Sequence, residues 1–262
     1  MDADAYLDRI GVADAAGELD PTHGTLGRLV AAHVAAVPFE NLGIVGDPHG
    51  GRGGRGVTLD LPALYEKVVR DRRGGFCFEL NGLFGWLLAE LGFDADRCAA
   101  RVADEGEFGR PPANHHTAVV HFDRSYLADV GTGTPQVREP VPLDGSVVAD
   151  AAGVEWRVDP DDTPLSDAVL RLREPGGDWR VRYRFRTEPR PLSFFAATCE
   201  FLAHEPDGTF TSGPLVQRST PDGWVALDAD ALTRVAGRER TETSVPPADW
   251  HAVLADEFGL RL

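Results

Sequence analysis

At 262 residues the chain has length for roughly one large hydrophobic core or two to three smaller ones. Its 42 acidic and 26 basic side chains leave a formal charge of −16, which excludes nucleic acid as a partner, because phosphate neutralisation needs clustered Lys and Arg. The acidic start Met1-Asp-Ala-Asp-Ala-Tyr6 offers no signal peptide and no long apolar run offers a membrane span, so a cytoplasmic protein without a membrane partner is expected. The basic side chains are 25 Arg and a single lysine, Lys67, and the acids are spread along the chain rather than gathered in a tail. Charge so dispersed gives no focused field to attract a cationic substrate. It reads instead as the surface of a halophile, with activity expected to rise at molar salt. Cys77, Cys98 and Cys199 are an odd count without CxxC spacing, so neither a disulfide framework nor a metal site is expected.

In chain order, Tyr6–Ile10, Thr25–His33 and Leu61–Arg70 show apolar residues at three- and four-residue spacing and predict helices, the last with Pro62 in its first turn. Between them lies the glycine-rich stretch 49–56, which contains a literal GxGxxG. A dinucleotide fingerprint should follow a strand and open a βαβ unit; this stretch follows Gly46-Asp-Pro48 and is read as a loop. Apolar positions 80, 83, 84, 87, 88 and 91 then predict an amphipathic helix, with Gly74-Gly75 breaking the chain just before it. From about residue 95 the pattern changes to alternation, in Thr117–Phe122, Tyr126–Val130 and Trp179–Phe185, where Trp179, Val181, Tyr183 and Phe185 should share a buried face and the arginines the other. A helical patch at 194–202, strands at 215–219 and 224–227, and a closing helix at 247–258 complete the chain. Helices followed by strands, without βαβ alternation, predict an α+β fold.

Cys77 falls in the first turn of the helix after Gly74-Gly75. There the helix dipole and unpaired N–H groups favour a thiolate and offer a seat for an oxyanion, and Arg72 and Arg73 should push the same way. The alternative is a buried small hydrophobe, which is what most free cysteines are; Cys98 and Cys199 are read as packing residues of that kind. A thiol nucleophile needs a base, and the base an orienting acceptor. Asn114-His-His116 opens one strand and Asp129 closes the next, and the tight turn at 123–125 sets the two side by side. Alternation puts His115 and His116 on opposite faces, so only one can reach Cys77.

Arg73-Gly-Gly-Phe-Cys-Phe-Glu-Leu-Asn81 resembles the cysteine motif of the arylamine N-acetyltransferases, Pro38-Phe-Glu-Asn-Leu42 is similar to their PFENL, and Asp129-Val-Gly-Thr-Gly133 to their DVGFG. Shorter similarities at Arg9-Ile-Gly11, Pro189–Leu192 and Glu257–Leu260 extend the match over nearly the whole chain. The resemblance implies a helical bundle over 1–92 carrying the nucleophile, an antiparallel β-barrel over 93–192 carrying His and Asp, and an interdomain helix with an α/β lid over 193–262. It also implies a papain-like triad and ping-pong transfer from acetyl-CoA, as co-substrate, to a small arylamine, hydrazine or hydroxylamine. Its nucleophile matches Cys77 and its acid Asp129. Its histidine matches His115, which leaves 116–120 in place of the family's apolar strand and lies 38 residues after Cys77; His116 is the alternative. Arg9, Glu40 and Arg73 are implied to form a buried ionic cluster bracing the cysteine loop, and Phe39, Phe76, Gly131 and Thr132 to face substrate. Thr132 departs from the aromatic of DVGFG and opens the question of the acceptor. Competing functions for the same residues are an amide synthase acting on a carrier-bound acyl chain, a cysteine hydrolase, and an inactive binding protein.

Overall fold

The computed structural model describes every residue except Arg52 and residues 103–110, so part of the glycine-rich stretch lies outside the described residues. Helix α1 (Ala3–Ile10) is capped by the Asp2 carboxylate and α2 (His23–Ala36) by the Thr22 hydroxyl, each accepting a first-turn N–H. A two-residue strand, β1 (Phe39–Glu40), leads into the single turn of α3 (Leu42–Val45). Helix α4 (Leu61–Tyr65), capped by Asp60 and carrying Pro62 in its first turn, runs on as a π-helical turn over Glu66–Arg70. Helix α5 (Cys77–Glu90) is buried nearly all round, with Phe78, Leu80, Leu83, Phe84, Leu87 and Leu88 inside. The described residues of the glycine-rich stretch form a loop between α3 and α4, packed so closely that a Cβ on Gly54 would lie 2.2 Å from the Gly43 carbonyl oxygen.

Eight strands follow: β2 (Ala95–Arg101), β3 (His115–His121), β4 (Ser125–Ala128), β5 (Val141–Pro142), β6 (Val148–Ala149), β7 (Glu155–Thr163), β8 (Ser166–Arg173) and β9 (Arg180–Pro189). They form one antiparallel sheet in the order β5-β4-β3-β2-β9-β8-β7-β6, curled into a near-closed barrel around Trp156, Leu170, Tyr183 and Phe185. A 3₁₀ turn and α6 (Ala196–His204) then lead to β10 (Val216–Thr220), β11 (Gly223–Leu227), β12 (Ala231–Ala236) and β13 (Glu239–Ser244), and finally to α7 (Trp250–Phe258). The second sheet, β1-β10-β11-β12-β13, takes its edge strand from the helical part of the chain. Its core joins Val216, Val225 and Leu227 to Trp250, Leu254 and Phe258 of α7. Phe195, Cys199 and Leu202 of the α6 region pack instead into the core of the N-terminal helices. The fold is α+β, and among the described residues no helix is long and apolar enough to cross a membrane.

The alternation expected in 179–185 holds only in part. Tyr183 and Phe185 are buried, whereas Trp179 lies before β9, half-buried between the Arg157 and Arg173 guanidinium groups at 4.8 and 5.0 Å. The cause is a β-bulge: Leu170 pairs with Tyr183 but Arg171 pairs with Val181, so Arg182 is an extra residue and the parity of everything before it reverses. The β7–β8 and β12–β13 hairpins carry weak sequence signals. Pro160 interrupts β7 beside a second bulge, and β13 is exposed along its whole length.

Candidate active site

The turn that presents Cys77 is built by close backbone contact. Strand β1 lies parallel to the loop before α5, with the Glu40 N–H donating to the Gly75 carbonyl at 2.9 Å; a Cβ on Gly74 would sit 2.1 Å from the Pro38 oxygen. Only glycine permits that approach. Phe76 caps α5, and the Glu79 carboxylate reaches back to accept the Phe76 N–H at 3.2 Å. Both Glu79 oxygens also accept from Lys67 Nζ, at 2.8 and 2.7 Å, so the chain's one lysine anchors the cysteine turn from the π-helical segment.

The Cys77 thiol is buried. Burial pushes it well above the ordinary thiol range, the neighbouring Cys199 and Asp129 add to this, and the Phe78 N–H alone pulls it down. Arg73, expected to favour the thiolate, turns to Glu40 instead (3.2 Å). Arg9 makes no pair with Glu40: its Nε donates to the Val68 carbonyl and its Nη1 to that of Ala36, at 3.0 and 2.9 Å, and Nη2 to those of Arg72 and Arg73. The second Glu40 oxygen accepts the Leu42 N–H. The three-residue ionic cluster therefore resolves into one ion pair and a separate carbonyl clamp, because Arg9 enters beside the last turn of α2, whose carbonyls lack helical donors. Burial lowers the Arg9 guanidinium to about 10.

Strands β3 and β4 pair Ala118 with Ala128, which brings His115 beside Asp129. His115 Nε2 lies 2.7 Å from Asp129 Oδ2, and the pair is buried. Oδ2 also accepts from Tyr183 OH at 2.7 Å, while Oδ1 accepts from Asn81 Nδ2 and the Gly131 N–H, both at 2.9 Å. Burial alone would raise this carboxyl; His115, Asn81 and Tyr183 outweigh it and hold it at about 2. An ionised Asp129 requires the proton on Nε2, which leaves Nδ1 as acceptor. His116 faces the other way, its ring between Phe78 and Phe195 with centroids 5.6 and 4.8 Å apart and its Nε2 on the Phe78 carbonyl at 3.3 Å. Burial drives it down to about 3, so it is a neutral core histidine.

Cys77 and His115 share a cavity of about 350 Å³ with Phe39, Gly131, Thr132 and Arg182, closed by Phe210 and Gln217 from the C-terminal third. Of the residues expected to face substrate, Phe39 and Gly131 line this cavity. Thr132 does too, although its Oγ1 is engaged by the Val137 N–H at 3.4 Å. Phe76 does not: it is fully buried behind the wall against Phe210, since the helix cap turns its ring into the core. Cys98 and Cys199 are buried, each pushed up to about 12 by burial, and are packing residues.

The sequence model described as N-acetyltransferase matches residues 22–262. The arylamine N-acetyltransferase of Mycolicibacterium smegmatis is 36% identical over 85% of this chain and 78% of its own length, and that of Mycobacterium tuberculosis strain H37Rv is 34% identical over 100% and 90%. The chain belongs to the arylamine N-acetyltransferase family. It is therefore an acyltransferase that moves acetyl groups. Among solved structures, the arylamine N-acetyltransferase of Mycobacterium abscessus superposes with a TM-score of 0.86 at 33% identity, covering 100% of this chain and 90% of that one. The Mycobacterium marinum arylamine N-acetyltransferase, solved in complex with CoA, gives 0.84 at 32% identity, covering 98% and 92%.

The family motifs acquire physical reasons here. In Pro38-Phe-Glu-Asn-Leu42, Asn41 ties the helical part to the C-terminal third, donating to the Phe210 and Gly213 carbonyls at 3.0 and 2.7 Å and accepting the Leu215 N–H at 2.7 Å. Asn81, the last residue of the cysteine motif and one helical turn after Cys77, holds Asp129, a contact its i+4 spacing makes findable. Three further residues of the cavity and its hydrogen bonds lie outside the motifs: Tyr183 reads only as core, and Arg182 and Phe210 carry no local signal.

Proposed function

We propose that Cys77 carries the acetyl group between acetyl-CoA and an arylamine, hydrazine or hydroxylamine in a ping-pong cycle. His115 Nδ1 takes the thiol proton as Cys77 attacks the thioester carbonyl. Because burial disfavours a free thiolate, proton transfer and attack occur together, and Asp129 holds the resulting imidazolium. The N–H groups opening α5 receive the oxyanion, and CoA leaves with the proton from His115. The amine then attacks the acetyl-Cys77 thioester, His115 removes its proton, and the thiol is restored. The observation that carries this reading is the buried 2.7 Å His115–Asp129 pair, whose histidine lines the same cavity as Cys77. The CoA complex of the M. marinum relative supports the donor.

Mass spectrometry after incubation with acetyl-CoA alone should find one acetyl group, on Cys77, discharged on adding an amine. Cys77→Ala should abolish transfer, by at least roughly three orders of magnitude, while melting as wild type does. An unmodified Cys77, or steady CoA release without amine, overturns the proposal.

A further inference from the structure

Strands β3 and β4 carry a second histidine, at the other end of the stripe that ends in His115 and Asp129. Alternation sets His115, Thr117, Val119 and His121 on one face of β3, and Ser125, Leu127 and Asp129 on the same face of β4 and the residue after it. The Val119–Leu127 pair in the middle belongs to the barrel core. His121 and Ser125 are a cross-strand pair six residues from His115, about 20 Å away at the usual rise of a strand. There His121 Nδ1 lies 2.9 Å from Ser125 Oγ, and His121 Nε2 lies 3.0 Å from Asp96 Oδ2. Three adjacent strands, β2, β3 and β4, thus line up an aspartate, a histidine and a serine.

Each role follows from what the group can do. An ionised carboxylate only accepts, so Asp96 takes the Nε2 proton, Nδ1 is left as acceptor, and the Ser125 hydroxyl donates to it. His115 is oriented in the same way, with its Nε2 on Asp129. A hydroxyl is a nucleophile when a base lies within hydrogen-bond reach and a third group orients that base. The other serines with side-chain hydrogen bonds lack such a base: Ser166 meets Asp161 and Thr163, Ser212 the Gly208 carbonyl, and Ser219 the Gln136 amide oxygen. The second array is also open to solvent. The His121 and Asp96 side chains are 34% and 37% exposed, against 3% and 0% for His115 and Asp129. Exposure admits reagents that need not enter the Cys77 cavity, and it screens Asp96, so the base is weaker than one held by a buried carboxylate. A site of this kind suits substrates that bring a good leaving group of their own.

We propose that Ser125 is a second acyl-accepting nucleophile, independent of Cys77, with His121 as its base and Asp96 as the positioning residue, and that it takes acyl groups from activated esters such as aryl acetates. Ser125 Oγ attacks the ester carbonyl while its proton passes to His121 Nδ1. The new bond is Oγ–acyl, the bond broken is the ester C–O, and the phenolate departs as an anion without needing an acid. His121 then gives its proton to solvent. Water, activated by the same imidazole, returns the serine and releases the carboxylic acid.

The test uses the Cys77→Ala protein, which removes the first nucleophile, with 4-nitrophenyl acetate as the probe and peptide mass spectrometry as the readout. Ser125 should carry acetyl at least roughly tenfold above Ser146, an exposed serine that serves as the internal control. His121→Gln in that background should bring Ser125 down to the level of Ser146, and Asp96→Asn should lower it by a smaller factor. Nitrophenolate release above the buffer rate should disappear in Cys77→Ala/Ser125→Ala. With Cys77 intact, Ser125→Ala should leave acetyl transfer from acetyl-CoA to an arylamine unchanged. Equal labelling of Ser125 and Ser146 overturns the proposal and leaves the three side chains as cross-strand hydrogen bonds only. Labelling that survives His121→Gln overturns it as well. The measurement on Ser125 itself needs no substitution in the array, so it stands even where a variant fails to fold.

Discussion

Two cavities flank the first turn of α5, one of about 350 Å³ beside Cys77 and one of about 430 Å³ beside Glu79. Both hold cationic side chains. On the Glu79 side Lys67 is met by both Glu79 oxygens and Arg73 by Glu40, although the Arg73 Nε is buried without a hydrogen-bond partner. On the Cys77 side, among the described residues, the carboxylate of Asp129 is committed to His115, Tyr183 and Asn81, and the Arg182 Nε has no hydrogen-bond partner. Each cavity thus has one arginine Nε without a partner, and what sets them apart is the carboxylate: paired with a cation beside Glu79, paired with a histidine beside Cys77. That histidine next to a thiol, rather than volume, marks the side on which chemistry is proposed.

Substitutions on the two sides should behave differently. The largest effect is expected from Asp129→Asn on the Cys77 side, which removes the charge that fixes the His115 tautomer and should lower kcat by about 10³–10⁴-fold with the fold retained. Next, His115→Asn should suppress alkylation of Cys77 at neutral pH and move its pH profile above 9, because burial already holds the free thiol above its ordinary value of 9.0. On the Glu79 side, Glu79→Gln leaves Lys67 without its counter-charge and should cost about 2–4 kcal/mol of stability, seen in denaturant melts, with kcat per folded molecule near wild type. A kcat loss there as large as that of Asp129→Asn would erase the contrast between the two sides.

The smallest effect concerns pH. His116 is held neutral, at about 3 against an ordinary 6.5. Between those values the unfolded chain binds a proton that the folded chain refuses, so stability falls as pH falls, by roughly 1.4 kcal/mol per pH unit. His116→Phe should make the acid limb of a stability–pH curve shallower by that slope. Asp129, lowered to about 2, acts in the same direction but later, its contribution being present above about pH 4 and lost as pH falls through 2.

How much of this is legible in the sequence depends on whether the determinant is local. The apolar spacing after Gly74-Gly75 places Cys77 at a helix start, and the paired strands bring up Asp129, because each rests on neighbours in the chain. The choice of His115 over His116 needs more than alternation, since both histidines are buried; the Phe78–Phe195 slot that takes His116 is assembled from two distant helical segments. Arg9 could be recognised as a charge in need of a partner, but sequence does not tell a carboxylate partner from a set of carbonyls. Arg182 was placed on the outer face by a rule of strict alternation that one extra residue breaks, and such a shift exists only once β8 and β9 are in register.

Residues 39–41 are stitched along one edge to the loop before Cys77, through the Glu40–Gly75 bond, and along the other to the C-terminal sheet, through Phe39 opposite Gln217 and the Asn41 N–H on the Leu215 carbonyl. Loosening the C-terminal sheet therefore withdraws one wall of the cavity and the backing of the Cys77 turn in a single event. The amides of Glu40, Asn41 and Leu215 should therefore exchange with solvent as one set in a hydrogen-exchange measurement, so that an event in the C-terminal sheet is felt at Cys77.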